Sequence, residues 1–409
     1  MSRTRVTSQT TSQAKPFPNH DDTAKRISSA AGLIDPFIVM DVMSAAAKAE
    51  AEGADIIHME VGQPATPAPK AARERAADAL AGDKLGYTLA LGLPALRERI
   101  AAFYKERYGL SLSPERVIVT SGSSAGFLLA FLALLEAGDG FGLPSPGYPC
   151  YRNILRAIGG RPVEIETSDA GRWMPTLADV ESLAGQGARG LLVASPNNPT
   201  GTMCEGGTLA DIARDCDRRG LWLISDEIYH GLEYDRAPET ALAASDEAIV
   251  VNSFSKYFSM TGWRVGWLVV PERLVRPIER LTQNLYISTP TISQHAALGA
   301  FDGIEELEAI KAGYAKNRTL LLNALPRAGF DKILPADGAF YLYADVGDLT
   351  DDAAGFCRRM LSEAGVATTP GIDFDPVRGN RFVRFSYAGS EAEMAEAAKR
   401  LADWLKTRN

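Results

Sequence analysis

Lys256 stands in Ser253-Phe254-Ser255-Lys256, and Arg264 follows in Met260-Thr261-Gly262-Trp263-Arg264-Val265-Gly266. Ahead of it, Ala248 to Asn252 read as a short buried strand, so the lysine falls at or near a strand end. An amine in that place, beside two hydroxyls and a guanidinium, has the chemistry to hold a phosphorylated aldehyde. The amine bonds the aldehyde carbon as a Schiff base, and the hydroxyls and guanidinium hold the phosphate. A lone lysine is more often a solvated surface group, so the segments upstream decide between the two readings.

The apolar run Leu221-Trp222-Leu223-Ile224 ends at Ser225-Asp226-Glu227, with Tyr229 close behind. Four apolar residues leading to an acid is the pattern of a buried parallel strand delivering a carboxylate at its C-terminal end. A strand-end Asp serves equally well as a helix N-cap. Further upstream, Leu191-Leu192-Val193-Ala194 runs into Ser195-Pro196-Asn197-Asn198-Pro199-Thr200-Gly201. Two prolines around two asparagines make a stiff turn that can aim an amide side chain, although an ordinary strand-to-helix turn uses the same residues.

Taken in order, Asn198-Pro199-Thr200-Gly201, Asp226 with Tyr229, and Ser-x-Ser-Lys with Arg264 resemble the class I/II aminotransferases of fold type I, the aspartate aminotransferase-like family. These enzymes depend on pyridoxal 5'-phosphate (PLP). The resemblance covers nearly the whole chain; each motif alone is weak, and together they are highly specific.

The elements that must position these residues follow from the chain as a whole. Its 409 residues suffice for two domains with a substantial core. A hydrophobic share of 46% and a charged share of 23% are ordinary for a globular protein. The net charge of −8 argues against a nucleic-acid surface and does not suggest a membrane one. No apolar run is long enough to span a bilayer. Cys150, Cys204, Cys216 and Cys357 show no metal-ligand spacing and read as free thiols in a reducing compartment. Residues 1–27 are polar and lack the apolar core of a signal peptide, so a disordered tail and a cytoplasmic protein are expected.

Short apolar runs alternate with helical stretches. Val117-Ile118-Val119 leads into a helix over Ala125 to Leu135, and further strands fall at 191–194, 221–224, 249–252 and 265–270. This alternation predicts an α/β domain with a mostly parallel sheet. Alanine-rich stretches at Ala45 to Ala54 and Ala71 to Ala81 read as helices. A helix at Lys311 to Leu325, strands at Phe340 to Ala344 and Phe382 to Tyr387, and a helix at Glu391 to Lys406 predict a smaller α+β domain. By resemblance, residues 28–64 pack with the C-terminal residues 301–409 as the small domain, and residues 65–300 form the large PLP-binding domain.

The resemblance also implies roles. Thr120-Ser121-Gly122-Ser123-Ser124-Ala125-Gly126 joins a strand to a helix, a place where unpaired N–H groups favour an anion. It points to Gly122, Ser123 and Ser124 as phosphate ligands, with Ser253, Ser255 and Arg264 completing the cup. Tyr148 would stack on the pyridine. Asp226 would keep the ring nitrogen protonated, and Asn198 and Tyr229 would hydrogen-bond the phenolic oxygen. Lys256 would hold PLP and later act as the base. Arg384, in Phe382-Val383-Arg384-Phe385-Ser386-Tyr387, and the backbone of Gly62 would anchor the substrate carboxylate, Arg384 having a fork suited to bidentate contact. Gly338-Ala339-Phe340-Tyr341 resembles a pocket-lining strand. Tyr87, with Thr88, resembles the segment that reaches a neighbouring subunit's phosphate, which implies a homodimer with shared active sites.

Two departures bear on specificity. Gln283-Asn284-Leu285-Tyr286 carries no arginine where aspartate-type enzymes hold a distal carboxylate, and Asp375 stands where many relatives carry glycine. The function implied is transfer of the amino group of an L-α-amino acid to a 2-oxo acid by a ping-pong mechanism. Elimination or decarboxylation on the same scaffold, and a regulatory domain without activity, are the alternatives; the residues before position 28 are too few for a DNA-binding domain.

Overall fold

The computed structural model describes residue 32, residues 34–82 and residues 84–407; the expected tail of residues 1–27 lies outside them. The strands, in chain order, are β1 (Ile57–His58), β2 (Val117–Thr120), β3 (Gly140–Ser145), β4 (Arg161–Glu166), β5 (Gly190–Ala194), β6 (Trp222–Asp226), β7 (Ile249–Ser253), β8 (Gly266–Val269), β9 (Lys332–Ile333), β10 (Tyr341–Asp345), β11 (Val366–Ala367), β12 (Thr369–Pro370) and β13 (Phe382–Ser386). Seven of them form one sheet in the order β2-β8-β7-β6-β5-β3-β4. Within it β3 to β7 pair in parallel, while β8 runs antiparallel to both β2 and β7. The architecture is thus α/β with a mostly parallel sheet, as the alternation of apolar runs implied.

The sheet is covered on both faces, and the side-chain alternation of a strand divides its residues between two cores. Val117, Val119, Leu191, Val193, Leu223, Val250, Trp267 and Val269 join one core. Their neighbours Ile118, Leu192, Ile224, Ile249, Val251 and Leu268 join the other. A run such as Gly190–Ala194 therefore carries no polar face.

β12, β13, β10 and β9 form a four-stranded antiparallel sheet, and β1 pairs in parallel with β11. The long helix Ile304–Arg327 and the C-terminal helix Glu391–Lys406 accompany this sheet in the chain. A capping box, with Ser390 and Glu393 exchanging bonds, starts the latter at the expected place.

Several expected boundaries shift. The helix read from the alanines at 45–54 begins earlier, at Ile38, and ends at Ala51. The helix expected from Ala125 begins at Gly122, where φ is +79°. The helix expected at 311–325 spans Ile304–Arg327. β3 and β4 were not foreseen. β3 is interrupted by Gly140, Gly142 and Pro144, and β4, at the sheet edge, alternates charged and apolar residues.

Asp375 acquires a structural account. It is 2% exposed; its Oδ1 accepts from the amides of Val377 (3.0 Å) and Arg378 (2.8 Å), and its Oδ2 accepts from Arg378 Nε at 2.7 Å. So braced, Arg378 donates to the carbonyls of Ser145 and Thr167 at 2.8 Å and to the carboxylate of Glu166 at 3.1 Å. The pair ties the segment before β13 to the C-terminal ends of β3 and β4. Arg378→Met should lower stability by roughly 2–3 kcal/mol, since it leaves a buried carboxylate short of its charged partner. Chemical denaturation checks this, and an unchanged midpoint would show that the pair ties nothing down.

Candidate active site

Three of the motifs meet because their strands end at one level. Ala194 lies opposite Asp226 and Asp226 opposite Val251, so β5, β6 and β7 release Asn198, Asp226 and Ser255-Lys256 at one edge of the sheet. β8 enters there from the other direction, with Gly266 opposite both Thr120 and Ser253. Arg264 therefore meets the turn after Thr120. The carboxyl ends of parallel strands are where such sheets hold ligands, and a cavity of about 540 Å³ opens there.

At one end the cavity has the parts of an anion site. The helix Gly122–Leu134 has Ser121 at its cap position with no side-chain cap bond, and Ser123 and Ser124 line the cavity. Its first N–H groups carry a partial positive charge. Gly122 is required: a Cβ there would come within 2.5 Å of Arg264 Nη2. Arg264 sits at φ +50°, a conformation costly for a non-glycine residue, and its Nη1 donates to the Thr261 carbonyl at 2.9 Å. Ser253 accepts from the Ser255 amide at 3.0 Å and lies 2.8 Å from the Ser255 hydroxyl. Ser255 lines the cavity, whereas Ser253 and Gly122 stand one layer behind it.

Lys256 Nζ donates to the Gly62 carbonyl at 2.5 Å and lies 5.8 Å from the centroid of the Tyr229 ring. Burial and the charges of Arg384 and Arg264 push its amine down to about 8, against the opposing pull of Asp226. Asp226 is 3% exposed, and burial raises its carboxyl to about 6 despite bonds from Tyr151 and the Ile228 amide and the nearby charge of Lys256. Its Oδ2 accepts from the Tyr151 hydroxyl and its Oδ1 from the Ile228 amide at 3.0 Å. The adjoining Glu227 does not line the cavity; it accepts from Ser225 Oγ (3.1 Å) and the Ala241 amide (3.0 Å). One step along the chain thus separates the site acid from a structural one.

Arg384 marks another wall. Its guanidinium lies between the rings of Tyr341 (4.4 Å) and Phe374 (4.7 Å). Nη1 donates to Asn198 Oδ1 at 2.8 Å, Nη2 donates to the Glu60 carbonyl and to Thr369 Oγ1 at 3.3 Å, and Nε has no partner among the described residues. Because arginine only donates, the Asn198 amide must present its oxygen to Arg384, which leaves its NH2 for the cavity. The Tyr229 and Tyr341 hydroxyls lie 2.7 Å apart. Gly62 is fixed sterically, since a Cβ there would overlap the Tyr341 hydroxyl.

Gly62, Tyr148, Asn198, Asp226, Tyr229, Lys256, Arg264 and Arg384 all line the one cavity. Tyr87 does not: it is 81% exposed and lies outside the lining. Gln283 to Leu285 end the helix Glu272–Leu285 and also lie outside the lining. The sequence reading missed Tyr151, whose signal was its place one helical turn after Tyr148 in Pro149–Ala157. It also missed the apolar lip of Phe37, Val39 and Met40, which local sequence does not mark.

With this geometry in place, comparison with known proteins assigns the family. The family described as aminotransferase class I and II matches residues 54–401. A valine–pyruvate aminotransferase from Mycobacterium tuberculosis is 49% identical over 387 residues, covering 93% of this chain and 98% of that protein. The crystal structure of an aminotransferase from Mycobacterium tuberculosis superposes with a TM-score of 0.91 at 49% identity, covering 94% of this chain and all (100%) of the other. An aspartate aminotransferase structure from Thermus thermophilus does so at 0.88 and 32% identity, covering 93% and 100%. The chain belongs to the class I and II aminotransferases. It is a transaminase with the aspartate aminotransferase-like fold, an enzyme that transfers amino groups.

The depressed Lys256 amine gives a test of its environment. A lysine reacts with aldehydes as the neutral amine, so in cofactor-free protein Lys256 should become half-reactive near pH 8 and level off above it. The lysine of a short model peptide, run as the reference, should keep gaining reactivity to about pH 10.4. Reductive methylation at a series of pH values, read by peptide mass spectrometry, measures both. Identical profiles would contradict the buried, cation-flanked setting.

Proposed function

We propose that the cavity takes PLP and that the amino donor is an α-amino acid with an aliphatic side chain. The observation that carries this is the charge of the lining: Lys256, Arg264 and Arg384 against Asp226, the sole carboxylate among the described lining residues. A surplus of positive charge around a cavity favours anions. A phosphate and a carboxylate, each at its own end, answer that need.

The uncapped helix start, Arg264 and Ser255 suit a phosphate, so the residues present fit the cofactor. PLP, when bound, supplies an electron sink next to the amino acid's Cα. Ser123, Ser124, Ser255 and Arg264 hold its phosphate, with Gly122 and Ser253 shaping the cup from behind. Asp226, oriented by Tyr151, would keep the ring nitrogen protonated. Asn198 and Tyr229 would donate to the phenolic oxygen, and Tyr148 would pack against the ring. Lys256 would hold the cofactor's aldehyde and, once free, would carry the proton that leaves the substrate Cα. Arg384 and the Gly62 amide hold the substrate carboxylate. Two such half-reactions in one cavity make a ping-pong cycle.

The aliphatic donor is supported by Phe37, Val39 and Met40 in the lining, by the missing arginine at 283–286, and by the Mycobacterium tuberculosis relative named for valine and pyruvate. A homodimer is supported by the exposed Leu80 (66%), Tyr87 (81%) and Leu89 (63%). Such an apolar group gains by being covered, and Tyr87 then reaches the neighbouring subunit's phosphate. We read residues 65–300 as the large domain and residues 28–64 with 301–409 as the small one. No helix among the described residues is long and apolar enough to cross a membrane, and a cytoplasmic enzyme is our reading.

Lys256→Ala should abolish transamination while leaving the phosphate contacts able to hold PLP; turnover near wild type would overturn the assignment. Arg384→Ala should cost roughly 2–5 kcal/mol in kcat/KM for an α-amino acid, or about one and a half to three and a half decades. The matching amine without a carboxylate should be much less affected, and Arg384→Lys should rescue only in part. Steady-state kinetics on valine and isobutylamine read the difference, and equal losses would mean that Arg384 supports the fold alone.

A further inference from the structure

The helix Ile38–Ala51 begins with a deficit. Its first N–H groups have no partners within the helix, and Phe37 at the cap position has no side-chain oxygen to accept them. Asp373 supplies the oxygens from a distant part of the chain. Its Oδ1 accepts from the Ile38 amide at 3.2 Å and its Oδ2 from the Val39 amide at 3.3 Å. One oxygen serves each N–H, and the residue is 1% exposed. The sign of the charge is also right for a helix start.

The turn held in this way is part of the cavity wall. Phe37, Val39 and Met40 line the cavity, and the Phe37 ring meets the edge of Tyr148 with centroids 5.8 Å apart. The residue after Asp373 is Phe374, whose ring braces Arg384. Arg152, from the helix that follows Tyr148, donates to the Asp373 carbonyl at 2.7 Å and fixes the same segment from the other side. Two consecutive residues therefore set the distance between the guanidinium that anchors a carboxylate and the apolar lip that meets a side chain.

We propose that Asp373 is a positioning residue that sets which amino-acid side chains the enzyme accepts, by pinning Phe37, Val39 and Met40 at a fixed span from Arg384. The proposal rests on the reading of the cavity as a site for aliphatic α-amino acids.

The test uses holoenzyme carrying Asp373→Asn, which keeps the shape but offers one acceptor oxygen where two are used. With valine as donor, KM should rise about tenfold with kcat nearly unchanged, as expected for loss of a helix cap. With alanine, whose methyl is too short to reach the lip, KM should change less than about twofold on the same reasoning. Hydrogen exchange at the Ile38 and Val39 amides should quicken by about tenfold. Equal losses for both donors, an unchanged valine-to-alanine ratio, or unchanged exchange would each overturn the proposal. If Asp373→Asn yields no soluble holoenzyme, Met40→Ala carries the test through the lip itself: a loss confined to valine supports the proposal and no loss overturns it. A wild-type enzyme that rejects valine and every other aliphatic donor would sink the donor reading and this proposal together. A wild type that prefers valine with an indifferent Asp373→Asn would sink this proposal alone.

Discussion

Positive charge gathered around one cavity constrains much else in this molecule. Lys256, Arg264 and Arg384 share one cavity with a single lining carboxylate among the described residues. Burial first, and then the charges of Arg384 and Arg264, push the Lys256 amine down to about 8. The two arginines are held by carbonyls and rings, Arg264 by Thr261 and Arg384 by Glu60, Tyr341 and Phe374. A lining of this charge favours anions.

Bringing those charges together is the work of the sheet. β5, β6 and β7 end in register, and the reversal at β8 returns Arg264 to the edge where the others already stand. Strands without a polar face hold that edge rigid, since their successive residues enter cores on opposite sides. Asp226 and Glu227 show how sharp the arrangement is. One reaches the cavity and the other turns to Ser225 and the Ala241 amide, where burial raises it to about 8.

Much of this was legible in the sequence because the motifs are local: an apolar run, a turn, a polar residue. Asp226, Asn198 and Lys256 each follow such a run directly, and the α/β class followed from the same alternation. What sequence hid was contact between distant segments. Asp373 caps a helix that begins at Ile38, and nothing in either neighbourhood announces the other. Arg378 grips the ends of β3 and β4, two strands that were themselves overlooked because glycine, proline and charged residues break their apolar pattern. Tyr151 lay between these cases, close to a residue that was noticed but with its partner Asp226 far along the chain.

The contact of Gly62 with Tyr341 also limits the history open to this sequence. No side chain fits at position 62 while the Tyr341 hydroxyl stands where it does, and that hydroxyl is held by Tyr229. Position 62 can therefore take a side chain only if Tyr341 gives way, which loosens its contact with Tyr229 as well.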